Sequence, residues 1–250
     1  VVGMAQGEFV WLLGDDDLLM PYALERLNDL ISQHPNVDFF YVNAYSMEMK
    51  FVYSFPQPFN TSNLPEKLKP FSSFPRSSEM KFMDLIDPKI SFDFLGGMFL
   101  SVFKRENWEQ NVDALDELAM KDERVFSHFD NTFPHVKIFS KAFVNSKAFF
   151  NTEPLSVCLS GAREWAPMSH LVQSVRLIEA LREYRKNGLP LIQYLRCRNF
   201  ALSRFLPAMV WMFIHRKDSG FAYISPLKII LANCLFPNLY LSPFYFLVRK

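Results

Sequence analysis

Three consecutive carboxylates, Asp15-Asp16-Asp17, close an apolar run from Phe9 to Leu13. Adjacent acids repel one another, so folding alone does not favour such a triplet. A divalent cation between them removes the repulsion. Hard oxygen ligands suit Mg²⁺ or Mn²⁺, ions that keep several waters and take phosphate oxygens as further ligands. The ordinary alternative is an acidic turn that caps the helix behind it. Two more groups stand out. Gly96-Gly97 precedes an apolar stretch ending in Lys104-Arg105, which reads either as backbone open to a ligand or as a tight turn entering a strand. Asp130 is placed to cap a helix running to about Lys141, with His135 one turn further on and near neutral in pKa when unperturbed.

The elements that must position these residues follow from periodicity. Phe9 to Leu13 has strand length and carries the acids to the lip of a sheet, where ligands of open α/β folds bind. Met20, Leu24, Leu27 and Ile31 repeat at helical spacing, and the helix is expected to follow the triplet at once. It should stop at His34, ahead of Pro35. Val37 to Tyr45 reads as a second strand, so that strand, helix and strand form a βαβ unit with parallel pairing. Prolines 56, 58, 65, 70 and 75 break the stretch from Phe51 to Ser78 into a long loop on the ligand side. Ser78 to Leu85 reads as a short helix, and Ala142 to Leu159 as two strands or a hairpin.

From Met168 the pattern becomes helical. Leu171, Val175, Ile178 and Leu181 form one stripe that Gly188 terminates. Leu191 to Ile214 is a second apolar helix with a kink expected at Pro207, and Ser225 to Val248 is apolar again. No uninterrupted apolar run approaches the roughly 20 residues that span a bilayer. Aromatic and Leu-rich segments flanked by Arg and Lys fit helices lying on a membrane surface, with a helical cap packed on the sheet domain as the alternative.

The 250 residues carry a net charge of +1, which gives no support to nucleic-acid binding. Cys158, Cys197 and Cys234 are odd in number and far apart, so neither a disulfide framework nor a metal knuckle is indicated. The chain opens on Val1 and enters a strand almost directly, which reads as a fragment lacking earlier strands.

The segment Ala5-Gln6-Gly7-Glu8-Phe9-Val10-Trp11-Leu12-Leu13-Gly14-Asp15-Asp16-Asp17-Leu18-Leu19 resembles the signature of family 2 glycosyltransferases of the GT-A fold. Phe94-Leu95-Gly96-Gly97 through Val102-Phe103-Lys104-Arg105 and Trp108 resembles the acceptor-side strand of the abequosyltransferase-like branch, which builds bacterial surface polysaccharides. The likeness covers roughly residues 1 to 165. It implies an inverting, metal-dependent transfer of a sugar from a nucleotide-sugar to a hydroxyl acceptor, such as a lipid-linked oligosaccharide of O-antigen lipopolysaccharide. The metal ligands it implies are Asp15 and Asp17 in one register and Asp16 and Asp17 in the other. Asp130 is the implied catalytic base by its order in the chain, with His135 replacing or assisting it and Asp122 and Glu123 as further acids nearby. Gly96 and Gly97 would approach substrate, and Trp165 would stack on a sugar face.

The expectation is therefore an α/β, GT-A (Rossmann-like) mixed sheet lacking its first strands over residues 1–165, then a helical region over 166–250. It would act in the cytoplasm, peripheral to the inner face of the plasma membrane. Two other classes fit the same acids. One is a metal-dependent nucleotidyltransferase, in which the nucleophile attacks phosphorus. The other is a catalytically dead relative that binds polysaccharide or a partner enzyme.

Overall fold

The computed structural model describes residues 1–48, 51, 64–65, 67–160 and 166–248. They group into two compact units, one of Val1–Asn111 with Ala142–Arg163 and one of Val112–Lys141 with Glu164–Lys250. Residues 112–141, however, sort with the C-terminal helices and not with the sheet.

The first unit is α/β. Its strands are β1 (Phe9–Trp11), β2 (Leu18–Leu19), β3 (Phe39–Glu48), β4 (Lys69–Pro70), β5 (Ser78–Lys81), β6 (Ser101–Lys104) and β7 (Lys147–Ser160), with helices α1 (Ala23–Gln33) and α2 (Arg105–Glu109). The sheet order is β1-β6-β3-β7-β2, with β4 added to β3 and β5 to β7. Among the described residues only β3 and β7 pair in parallel, and the other ladders are antiparallel. This mixed, curled sheet is compatible with a Rossmann-like arrangement.

Strands β3 and β7 form its spine. All six residues from Phe39 to Ala44 are buried, as expected of a strand covered on both faces. On one face Ala23, Leu27 and Leu30 of α1 pack against Phe40, Val42, Val102 and Phe149. On the other, Phe39 meets Phe82 and Phe143 edge-on, and Tyr41 stacks on Phe150 at 4.7 Å. The ladder between β3 and β7 slips between Val42 and Ala44, where their partners on β7 are Asn151 and Ser156. Below the slip β7 takes β5 as its outer partner; above it β7 takes β2.

Several expectations are corrected. β1 and β3 run in the same direction but do not pair, because β6 lies between them. Helix α1 does not follow the acids at once, since β2 intervenes. Ser78–Lys81 is a strand, because its alternating side chains complete the edge of β7; a short 3₁₀ turn, Phe82–Leu85, follows it. The expected hairpin over 142–159 is one long strand, in which Pro154 falls in the slipped segment where no ladder N–H is required. Of the proline-broken loop, residues 52–63 and 66 lie outside the described residues.

The second unit is helical. It contains α3 (Glu117–Met120), α4 (Phe129–Thr132), α5 (Pro134–Ala142), α6 (Ser169–Leu171), a π-helical turn (Val172–Arg176), α7 (Leu177–Lys186), α8 (Leu191–Ala201), α9 (Phe205–Ile214), α10 (Pro226–Asn233) and α11 (Pro237–Val248). Buried Arg176 shows why residues 112–141 belong here. Its guanidinium donates to the carbonyls of Phe126 and Ser127 at 2.9 and 2.8 Å and to Glu179 at 2.7 Å. Asn187 likewise donates to Ser140 Oγ. The stripe from Leu171 to Leu181 is buried as expected, and Gly188 has φ of +113°, a conformation that favours glycine at a helix end. The apolar helix over 191–214 is interrupted by a 3₁₀ turn at Leu202–Arg204. Pro207 lacks an N–H and crowds the carbonyl four residues earlier, which accounts for the break.

Candidate functional site

Strand β1 reaches the triplet along a firm track. Phe9, Val10 and Trp11 pair with Lys104, Phe103 and Val102 of β6, and Trp11 Nε1 donates to the Phe99 carbonyl at 2.7 Å. The chain then turns. Asp17 N donates to the Gly14 carbonyl at 3.2 Å, and Gly14 N donates back to Asp17 Oδ2 at 2.9 Å. Beyond the turn, Leu18 and Leu19 are fixed on Val157 and Ser156, and Met20 N donates to the Leu155 carbonyl. The acids therefore sit on a short bridge whose two ends are pinned to opposite sides of the sheet.

The triplet caps no helix. Tyr22 occupies the N-cap position of α1 and makes no side-chain cap bond. Asp15 is exposed, whereas Asp16 and Asp17 are half-buried. A methyl group at Gly14 would come within 2.6 Å of Asp16 Oδ1 and 3.2 Å of Asp17 Oδ2, so both carboxylates lean over the bare Gly14 Cα. The other Asp17 oxygen, Oδ1, is buried and accepts no hydrogen bond within the chain. Leaving a buried acceptor unsatisfied costs about 1–3 kcal/mol, more for a charged one. A cation would supply the missing partner.

Among the described residues, no group of three or more His, Cys, Asp or Glu side chains gathers into a metal cage. Among the described residues the donor set is thus at most a carboxylate pair, Asp16 and Asp17. That fits Mg²⁺ or Mn²⁺, which proteins commonly hold by one or two carboxylates and substrate phosphates. It does not fit a structural zinc site, which needs four protein ligands including soft or imidazole donors.

Gly96 and Gly97 lie at the same end of the sheet, because β6 starts where β1 ends. They close a 3₁₀ turn over Asp93–Leu95, with both backbone N–H groups donating to the Asp93 carbonyl. A second 3₁₀ turn, Met98–Leu100, separates them from β6, so they do not lead straight into the strand. A methyl group at Gly97 would meet Phe99 Cε1 at 2.9 Å and the Asp93 carbonyl at 3.0 Å. The turn itself thus accounts for Gly97. Trp165 lies outside the described residues.

Asp130 and His135 belong to the helical unit. Asp130 is only 7% exposed, and its Oδ2 accepts from Lys137 Nζ and from the Asp116 backbone N–H, both at 2.6 Å. It does not cap its helix: His128 holds that place, in a reciprocal pairing with Asn131, and Phe133-Pro134 divides the expected single helix in two. His135 is 2% exposed and sits edge-on between the rings of Phe133 and Phe139. Asp122 accepts from Arg124, Ser127 and His128. The Arg124 side chain, above all, holds its carboxyl well below the usual carboxylate range.

One positioning residue was not singled out from the sequence. Asn43 is buried at the slip between β3 and β7 and uses its whole amide. Nδ2 donates to the Ser72 and Thr152 carbonyls, and Oδ1 accepts from Ala44 N and Ser72 N, all at 2.9–3.0 Å. It thereby holds the segment of β7 on which β2, and so the acidic turn, is anchored. Its signal was present as the only amide within the apolar run Val37–Tyr45.

No protein-family model matches the chain, and no curated protein is similar to it at a significant level.

Proposed function

We propose that the α/β unit is a GT-A-type glycosyltransferase domain of family 2 character that uses Mg²⁺ or Mn²⁺ and a nucleotide-sugar donor. The observation that carries this reading is the Gly14–Asp17 turn, with two carboxylates leaning over a glycine and one buried Asp17 oxygen lacking a partner. Asp16 and Asp17 would hold the cation, and Asp15, exposed at the turn, would be the filler of the motif. When bound, the cation offsets negative charge on the diphosphate of the departing nucleotide.

The chain's own residues act by placement. Trp11 and the β1–β6 ladder fix where the turn begins, and Asn43 fixes where it ends. Gly96 and Gly97, whose N–H groups are already used by the Asp93 carbonyl, would approach substrate only through the exposed side of their turn. By order in the chain alone Asp130 would be the base, with His135 replacing or assisting it; deprotonating an acceptor hydroxyl requires a carboxylate or imidazole within hydrogen-bond reach. The ion pair to Lys137 and the packing of His135 among Phe rings favour a second reading, a non-catalytic relative that binds donor or polysaccharide.

Incubation with a panel of nucleotide-sugars and Mn²⁺ separates the readings. A glycosyltransferase releases nucleoside diphosphate, and Asp17→Asn abolishes that release. Pyrophosphate as product would mark a nucleotidyltransferase. Metal-dependent binding of one donor without turnover would mark the non-catalytic relative.

A further inference from the structure

The helical unit leaves an unusual amount of apolar surface uncovered at its C-terminal end. On α10, Leu227 and Leu231 are exposed one turn apart, and Leu235, at the bend that follows, is 91% exposed. On α11, Tyr240, Phe244 and Leu247 continue the pattern at helical spacing. Large exposed apolar patches on folded proteins mark interaction surfaces.

The bend is a built feature. Helices α10 and α11 meet at 114°. Arg198 of α8 locks the junction: it donates to Asn233 Oδ1 at 2.8 Å and to the Ala232 carbonyl at 2.9 Å, bonds the Tyr194 hydroxyl, and lies over the Phe236 ring. The inner side of α11 is equally fixed, with Leu239 and Ser242 buried and Ser242 Oγ accepting from Leu206 N. With the inner faces held, the leucines point outward by design of the packing.

The charge of this C-terminal stretch of the chain is one-sided. Between residues 191 and 248 the sequence has six Arg or Lys and a single acid, Asp218. Arg196, Arg204, Arg216, Lys217 and Lys228 are exposed. No single helix among the described residues is long and apolar enough to cross a membrane. At 8 and 12 residues, α10 and α11 are about 12 and 18 Å long, against a hydrocarbon core of about 30 Å.

We propose that the helical unit docks on the anionic surface of a lipid bilayer. The α10–α11 bend inserts Leu231, Leu235 and Phe244 into one leaflet, and the exposed Arg and Lys side chains meet the lipid phosphates. Interfacial helices combine these two terms, apolar burial and attraction to anionic headgroups. The inference does not depend on the glycosyltransfer reading, because it uses other residues and another unit.

Vesicle flotation of the full chain tests it. The protein is expected to float with phosphatidylcholine vesicles containing phosphatidylglycerol and to stay behind with phosphatidylcholine alone, with added salt releasing it. The double variant Leu231→Glu, Leu235→Glu should lose about tenfold or more in partitioning. Its circular dichroism melt should match the parent, since both side chains are exposed. Lys217→Glu with Lys228→Glu should abolish the preference for the anionic lipid. The proposal is overturned by any of three results: no flotation with either vesicle, equal flotation of parent and double variant, or equal partitioning to both lipids. A dimer in light scattering that Leu231→Glu, Leu235→Glu dissociates, with vesicle binding absent, would assign the face to a second copy and also overturn it.

Discussion

At the scale of single residues, Asp17 carries the argument. One of its oxygens closes the turn on Gly14 and the other is buried without a partner. Asp17→Asn keeps an acceptor for Gly14 N and removes one of three neighbouring charges. Without metal, its stability should therefore stay within about 1 kcal/mol of the parent in urea unfolding, while Mn²⁺-dependent stabilisation disappears. Gly14→Ala should displace the Asp16 carboxylate and weaken Mn²⁺ binding about tenfold, a loss of about 1.4 kcal/mol. Asp122 gives a pH prediction in the other unit. Its folded-state pKa is depressed below 3.8, chiefly by Arg124. Its stabilisation is thus complete above that value and is lost as pH falls through the acid range. Asp122→Asn should flatten the melting temperature of the helical unit below pH 4, measured by following Trp211 fluorescence.

At the scale of elements, the bridge between β1 and β2 depends on the slip in the β3–β7 ladder. Asn43→Leu would strand two carbonyls and two N–H groups in a buried site. The expected destabilisation is about 3 kcal/mol or more in urea unfolding; a change under about 1 kcal/mol would show that the slip is held by other contacts. Elements form where period and punctuation agree: a strand from Phe9, a helix ending at His34-Pro35, a strand over Phe39–Glu48 where Val37 to Tyr45 was expected, and the buried stripe from Leu171. Expectation and structure part where pairing across the fold decides. Leu18–Leu19 is a strand only because β7 offers Ser156 and Val157 as partners, and two residues carry no readable period. Ser78 to Leu85 reads as a short helix in isolation, whereas the edge of β7 makes Ser78–Lys81 a strand. Ala142 to Leu159 reads as two strands or a hairpin, and the slip instead lets one long strand run through Pro154. The site shows the same divide. The acidic turn was legible from three adjacent residues. The engagement of Asp130 by Lys137 and Asp116, and the four hydrogen bonds of Asn43, depend on distant partners that spacing does not disclose.

At the scale of the whole molecule, the candidate residues divide between two units. The α/β unit carries the acidic turn, the glycine turn and the residue that registers the sheet beneath them. The helical unit carries Asp130, His135, the Arg176 clamp and the exposed apolar bend. A His in that unit adds a pH response of its own. Burial, with His215 and Arg204 nearby, lowers the pKa of His170 from 6.5. Its neutral form is therefore favoured in the folded state, and that contribution to stability is present above pH 6.5 and declines as pH falls below it.

The most direct test of the central claim is calorimetric titration of Mn²⁺ into the protein in the presence of a nucleoside diphosphate, for the parent and for Asp17→Asn. The account predicts one saturable site in the parent that vanishes in the variant, with one base preferred among the nucleotides. Equal Mn²⁺ binding by parent and variant, or no binding by the parent with any nucleotide, would contradict it.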